Sequence, residues 1–230
     1  MATRSASRRL ARNTRPGRLA DEMSDGRVHP AAVARLLGAE DLSTGSTVLE
    51  FWQWALGDLR MNTIRGFLVE FLVAQAVGAT APHRVEWAPF DVEGADGTRI
   101  EVKATAYLQS WVSPKLTTPR WTFKTVDSAK SWDEDSGKEI PIDPIDRADV
   151  WVFALQTSQV PEEYDPLDID QWEFRAFPHV QLLELKQRST GISTLDRLGV
   201  TPVAFEGLAD AVKKARKVNS ALNKRARQKR

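Results

Sequence analysis

Between residues 62 and 106 the spacing of apolar side chains changes from helical to alternating. That change restricts the fold more than any other stretch of the 230-residue chain. In its first part Ile64, Phe67, Leu68, Phe71 and Leu72 recur at helical spacing. Val69, Val73 and Val77 fill the remaining side. The spacing predicts a helix over about 62–77 that is apolar nearly all round and therefore buried. In the second part an apolar segment with Val85, Trp87 and Phe90 ends at Asp91. The run Glu93-Gly94-Ala95-Asp96-Gly97 reads as a tight turn, because Gly97 takes φ > 0 without strain. Arg99-Ile100-Glu101-Val102-Lys103-Ala104-Thr105-Ala106 then alternates. A helix followed by a hairpin, with strands near 84–91 and 98–106, is the expected frame.

Alternation places chemistry on one face of that hairpin. Ile100 and Val102 point one way, and Glu101, Lys103 and Thr105 the other. Asp91 stands on the neighbouring strand. Upstream, Arg65 and Glu70 are the charged residues of the apolar helix. A lone buried carboxylate is costly unless it meets a cation, a metal or hydrogen-bond donors, so Glu70 needs a partner. Gly66, one turn earlier on the same face, keeps the approach to Glu70 open. Two acids and a lysine suit divalent-metal chemistry on a phosphodiester. The acid-x-Lys triplet alone is weak in a chain with 31 acidic residues and 11 Lys. It occurs again as Glu184-Leu185-Lys186, in a stretch that reads as a helix and follows no acidic hairpin strand. Context separates the two.

The order Glu70 on a helix, Asp91, then Glu101-Val102-Lys103 resembles the PD-(D/E)XK nuclease superfamily, which includes restriction endonucleases and Holliday junction resolvases. The likeness covers roughly residues 47–157. The residue before Asp91 is Phe90; the proline stands one place earlier, as Pro89. The resemblance implies an α/β (α+β) restriction endonuclease-like core, a central mixed β-sheet flanked by helices in the order α-β-β-β-α-β. It also implies a Mg²⁺-dependent (or Mn²⁺-dependent) endonuclease acting on DNA, with RNA equally open. Asp91, Glu101 and Glu70 are then the metal residues. Lys103 would orient or deprotonate the attacking water, or neutralise the transition state. Cutting both strands of a duplex favours a homodimer. A catalytically silent nucleic-acid-binding or assembly subunit with the same fold is the alternative. An ordinary salt bridge between Glu101 and Lys103 is the plain structural explanation of that pair.

Charge along the chain is uneven. The formal net charge is +1. Residues 1–20 carry six Arg and no acid, and residues 209–230 carry nine Lys or Arg and one acid. The stretch between has 17 basic and 30 acidic residues. A body so acidic repels phosphate except where a metal or a basic patch intervenes. The two basic ends are expected to grip a nucleic-acid backbone, with Lys213, Lys214 and Lys217 as contacts. Arg65, Thr105 and Gln109 are further candidates near the hairpin, and Tyr107 and Trp111 are possible stacking rings.

The expected organisation is a basic disordered arm over 1–27, a nuclease-like domain over 28–208 and a basic helix or tail over 209–230. Within it a short helix is expected over 30–38, and Thr47-Val48-Leu49-Glu50 has capping-box form and opens a helix to about residue 59. Trp121–Thr125 reads as a third strand, 127–147 as a long loop, Asp149–Leu155 as a central strand and Trp172–Phe177 as a further strand. Helices are expected near 179–186, 194–198 and 205–220. Ser189-Thr190-Gly191 reads as turn chemistry, and Trp52, Trp54, Trp151 and Trp172 as core. The chain has no Cys, which excludes disulfides and thiolate-bound zinc and fits a cytoplasmic location. No apolar run reaches the roughly 18 residues of a membrane span. No phosphate-loop or dinucleotide-binding glycine pattern is present, so no nucleotide cofactor is expected.

Overall fold

A computed structural model describes residues 44–81, 84, 88–111, 115–123, 129–133 and 136–228. The expected basic arm over 1–27 and the short helix over 30–38 lie outside the described residues. Contacts divide the chain into one unit through Phe51 and another from Trp52 onward. All the candidate site residues belong to the second.

The capping box forms as the sequence indicates. Glu50 N–H donates to Thr47 Oγ1 at 3.1 Å, and Thr47 N–H donates back to Glu50 Oε2 at 2.6 Å. This opens helix α1, Val48–Leu56. Trp54 is 85% exposed, so it is not a core residue as expected. Apolar spacing in so short a helix does not show which side finds a partner.

Helix α2 spans Asn62–Ala76. It buries Ile64, Arg65, Val69 and Val73, a single stripe, and leaves Phe71 58% exposed on another side. The expectation of burial all round is therefore corrected. The sheet covers one face of α2, and Phe67 and Phe71 line an open cavity instead.

The central sheet has four strands in the order β1-β2-β6-β7, namely Val92–Glu93, Arg99–Ala106, Val150–Gln156 and Trp172–Pro178. β2 and β6 are parallel over Ile100↔Val150 to Ala106↔Gln156, while β1 and β7 are antiparallel to their neighbours. The sheet is mixed and helices flank it, as the α/β reading anticipates. Arg99 sets the register: its backbone N–H and guanidinium both reach Asp149, at 3.0 Å to Oδ2 and 3.0 Å to Oδ1.

Each strand face has its own core. On one face Ile100, Val102, Val150, Val152, Trp172 and Phe174 pack with Val69 and Val73 of α2. Leu208, Val212 and Ala215 from the last helix, α5 (Phe205–Gln228), complete that cluster. On the other face Trp151, Phe153, Leu155 and Phe177 pack with Trp121 and Phe123. Leu182 of α3 (His179–Glu184) and Leu195 of α4 (Ile192–Arg197) close it. The apolar run over 150–156 is thus a strand buried on both faces, which explains its lack of alternation.

Several expected boundaries shift, each for a local reason. The strand expected near 84–91 is not formed at its described end. Residues 88–91 bend, and pairing is confined to β1. Pro89 has no N–H to offer a ladder, and the Asp91 side chain takes the Val102 N–H that a partner carbonyl would otherwise accept. The third strand is β3 (Arg120–Thr122), which pairs with β8 (Ser189–Gly191) in a separate two-stranded sheet. Ser189-Thr190-Gly191 is therefore strand rather than turn. The stretch expected as a loop over 127–147 contains a hairpin of β4 (Ala129–Asp133) and β5 (Lys138–Ile142), turned by Gly137 at φ 61°. A 3₁₀ turn over Pro144–Asp146 follows. Helix α5 runs unbroken across residue 208, and its first half belongs to the core.

Candidate active site

Asp91, Glu101 and Lys103 come together at the β1–β2 edge of the sheet. Val92 pairs with Ile100, so extending the register by one residue sets Asp91 across from Glu101. Asp91 is fixed by its own backbone and by its side chain. Its N–H donates to Ile100 O at 3.0 Å, and its Oδ2 accepts the Val102 N–H at 2.7 Å. Lys103 Nζ donates to Glu101 Oε1 at 2.7 Å and to Val102 O at 3.0 Å, and lies 3.5 Å from Asp91 Oδ2. Three oxygens, the Asp91 and Glu101 carboxylates and the Val102 carbonyl, thus surround one cationic point.

Glu101 is only 3% exposed. It tolerates burial because a second cation reaches the same oxygen: Arg147 donates to Oε1 at 2.9 Å. Burial pushes the Glu101 carboxyl above the ordinary Glu range, Lys103 and Arg147 oppose that, and Asp91 adds to it. For Lys103, burial works against the charged form, but Glu101 and Asp91 together outweigh it and the value lies above the ordinary one. The ammonium therefore stays protonated at neutral pH.

Trp151 is the floor beneath these charges. Lys103 Nζ and Arg147 Cζ each lie 5.6 Å from the centroid of a Trp151 ring. The indole N–H donates to His179 Nδ1 at 2.8 Å, and the two rings stack within 8°. Nδ1 is thereby the acceptor, so Nε2 carries the proton and donates to Pro144 O at 2.7 Å. Pro144 begins the turn that ends in Arg147. Burial holds the His179 pKa below its ordinary value, which keeps the ring neutral.

Glu70 stands one step outside the cluster. It faces Arg84 Nε at 2.5 Å. Burial raises its pKa, the nearby Asp91 raises it further, and Arg84 and Lys103 pull it down. Glu70 and Asp91 line one cavity of about 540 Å³ together with Phe67, Phe71, Phe90 and Arg84. The structure therefore brings Asp91, Glu101 and Lys103 into contact and places Glu70 beside Asp91 in the wall of one cavity.

The other candidates lie elsewhere. Arg65 is 3% exposed and ties the start of α2 to the segment after β2. Its guanidinium donates to Arg60 O at 3.2 Å, Asn62 Oδ1 at 2.5 Å and Gln109 Oε1 at 3.3 Å. Gln109 is engaged in turn with Ala106 O and Thr117 Oγ1. Thr105 follows Lys103 on the same face but is buried. Lys213, Lys214 and Lys217 are exposed on α5. Lys213 and Lys217 line a groove with Lys224 and Arg216, and Lys213 pairs with Asp210 at 3.6 Å. The second triplet sits at the end of α3, where Lys186 has φ 49°.

Sequence reasoning missed Arg84, Arg147 and Trp151 as parts of the site. Arg147 joins Glu101 across 46 positions because β2 and β6 are parallel neighbours. The only local signal was an arginine just before the apolar run that forms β6.

The donor set fits a hard divalent cation. Such ions take carboxylate and carbonyl oxygens, and Mg²⁺ keeps several waters, so a few protein oxygens suffice. Asp91, Glu101 and the Val102 carbonyl are of that kind. Among the described residues no three acidic or imidazole side chains gather closely enough to hold a metal by side chains alone. Comparison with protein-family models and with curated proteins returned no match.

Proposed function

We propose that the protein is a metal-dependent phosphodiesterase that cuts nucleic acid, a DNA endonuclease of restriction or resolvase type. One observation carries the reading: Asp91 Oδ2, Glu101 Oε1 and Val102 O converge on the Lys103 ammonium. Convergent hard oxygens beside a lysine, with Asp91 among them also lining an open cavity, are what metal-assisted phosphoryl chemistry needs. The resemblance to the PD-(D/E)XK superfamily points the same way, including a restriction endonuclease-like arrangement of the core.

The bound ion supplies a more acidic water and counter-charge at the scissile phosphate. Asp91 and Glu101 offer it oxygens, and the bond from Val102 N–H fixes the direction of one of them. Lys103, held protonated by its two acidic neighbours, acts as a donor to the phosphoryl oxygens rather than as the base that takes the proton from water. Glu70, with a raised pKa, is suited to accept or position that proton at the cavity wall. Lys103 and, after it, Arg147 oppose the rise that burial imposes on the Glu101 carboxyl. A homodimer would present two such sites to the two strands of a duplex.

One feature favours the second reading, a non-cleaving binding subunit. Lys103 and Arg147 both sit on Glu101 Oε1, so the cluster is neutralised without a metal. Incubating the protein with plasmid, linear and single-stranded DNA, with and without Mg²⁺ or Mn²⁺, separates the two. Metal-dependent nicking or cutting that is lost in Asp91→Ala is the expected result. Folded protein that cuts none of them would favour the binding subunit.

A further inference from the structure

A second cleft, of about 410 Å³, lies beyond the carboxyl ends of β2 and β6. These are the two parallel strands of the sheet, and in open α/β sheets ligands settle beyond such ends. Arg60 and Lys115 bring positive charge to its wall, and Tyr107, Trp111 and Tyr164 bring aromatic rings. Among the described residues no acidic side chain lines it, although Asp58 holds Arg60 from outside at 3.0 Å. In a chain whose middle is so acidic, that lining sets the cleft apart.

The cleft is braced rather than incidental. Thr117 donates to Tyr107 O through its N–H at 3.0 Å and its hydroxyl at 2.5 Å, which closes the segment that carries Trp111. Gln109 joins this closure to the buried Arg65. The buried Arg65 guanidinium also neighbours the Tyr164 hydroxyl. Trp111, by contrast, is 55% exposed.

Its position relates it to the carboxylates. Tyr107 follows Lys103 by four residues, about 13 Å along an extended strand, and packs on the same aromatic cluster that contains Trp151. A strand leaving Asp91 and Glu101 along this face would reach it within a few nucleotides.

We propose that this cleft receives one unpaired nucleotide of the strand held at Asp91 and Glu101, its base on Trp111 and its phosphate between Arg60 and Lys115. The inference rests on the nuclease reading and names its substrate: a strand with free single-stranded character, such as an end, flap or loop, rather than uninterrupted duplex. A base in a duplex is already stacked and must be unstacked, at a cost, before it can lie on an indole.

Binding of a short oligothymidylate and of a blunt duplex of equal length is measured in metal-free buffer, by Trp fluorescence for the wild type and by fluorescence anisotropy of labelled DNA for all variants. The single strand is expected to bind more tightly than the duplex. Trp111→Ala should weaken single-strand binding about 10-fold, the usual worth of one stacked base. It should leave duplex binding and the melting temperature unchanged, and Trp111→Phe should restore most of the loss. Unchanged single-strand binding in Trp111→Ala, or equal loss for both DNAs, would overturn the proposal, as would no binding of any oligonucleotide. Metal-dependent cleavage is read separately. Its absence beside intact Trp111-dependent binding would remove the nuclease reading alone and leave the cleft as a single-strand binding site.

Discussion

The two faces of β2 carry opposite solutions to burial. Ile100 and Val102 enter a dry cluster with α2 and α5, where nothing needs a partner. Glu101, one residue out of step, is as enclosed, and the half-buried Lys103 follows it; the two ionisable groups are paired with each other, with Asp91 and with Arg147. Side chains on one face are interchangeable within volume limits. On the other, removing a single member leaves a buried charge without its counter-charge. Within β2, the first face contributes apolar packing and the second carries the paired charges.

The largest stability effect should come from the dry face and its continuation across the sheet. Phe174→Ala is expected to cost about 3–5 kcal/mol, read from denaturant unfolding, with cleavage per folded molecule unchanged. A fall in cleavage that only follows the folded fraction would fit; a fall beyond it would blur the contrast between the faces. On the charged face Lys103→Met should lower the cleavage rate by about 10²–10³, as the loss of one transition-state donor does. DNA binding should persist, and a protein that no longer folds would mark Lys103 as a structural ion.

Titration sharpens the comparison further. Glu70 holds its proton more tightly in the folded than in the unfolded chain. Its contribution is therefore most favourable at low pH and declines as pH rises from the ordinary Glu value through its raised folded one. Glu70→Gln should flatten stability across that window in a pH series of melting curves. His179 behaves in the opposite way. Its folded pKa is lowered, so the unfolded chain binds the extra proton first and stability falls as pH drops below about 6.5. In His179→Gln that acid-side decline should shrink. The smallest effect concerns α5. With Lys213, Lys214 and Lys217 replaced by Ala, the slope of log affinity against log salt should drop by about 0.9 for each phosphate no longer neutralised.

Much of this was legible in the sequence because it depends on local rules. The capping box at Thr47, the helix from Asn62, the turn at Gly97 (φ 77°) and the strand alternation around Glu101 all form as their residues dictate. Asp91 was also placed correctly beside Glu101, since hairpin register follows from the turn. What escaped is set by contacts between distant segments. Arg147 reaches Glu101 only because two strands 50 positions apart run parallel, as Ile100↔Val150 shows. Phe71 stays exposed because the sheet takes one stripe of α2 and no rule of spacing says which. The hairpin within 127–147 hid in a polar stretch, since β4 and β5 pair with each other and their side chains are largely exposed.

The measurement closest to the central claim is single-turnover cleavage of DNA, with and without Mg²⁺ or Mn²⁺, by the wild type, Asp91→Asn and Glu184→Gln. The last alters the other acid-x-Lys triplet. Metal-dependent cleavage by the wild type and Glu184→Gln, lost in a folded Asp91→Asn, is the outcome the account requires. Cleavage that survives in Asp91→Asn, or none from the wild type with either metal, would contradict it.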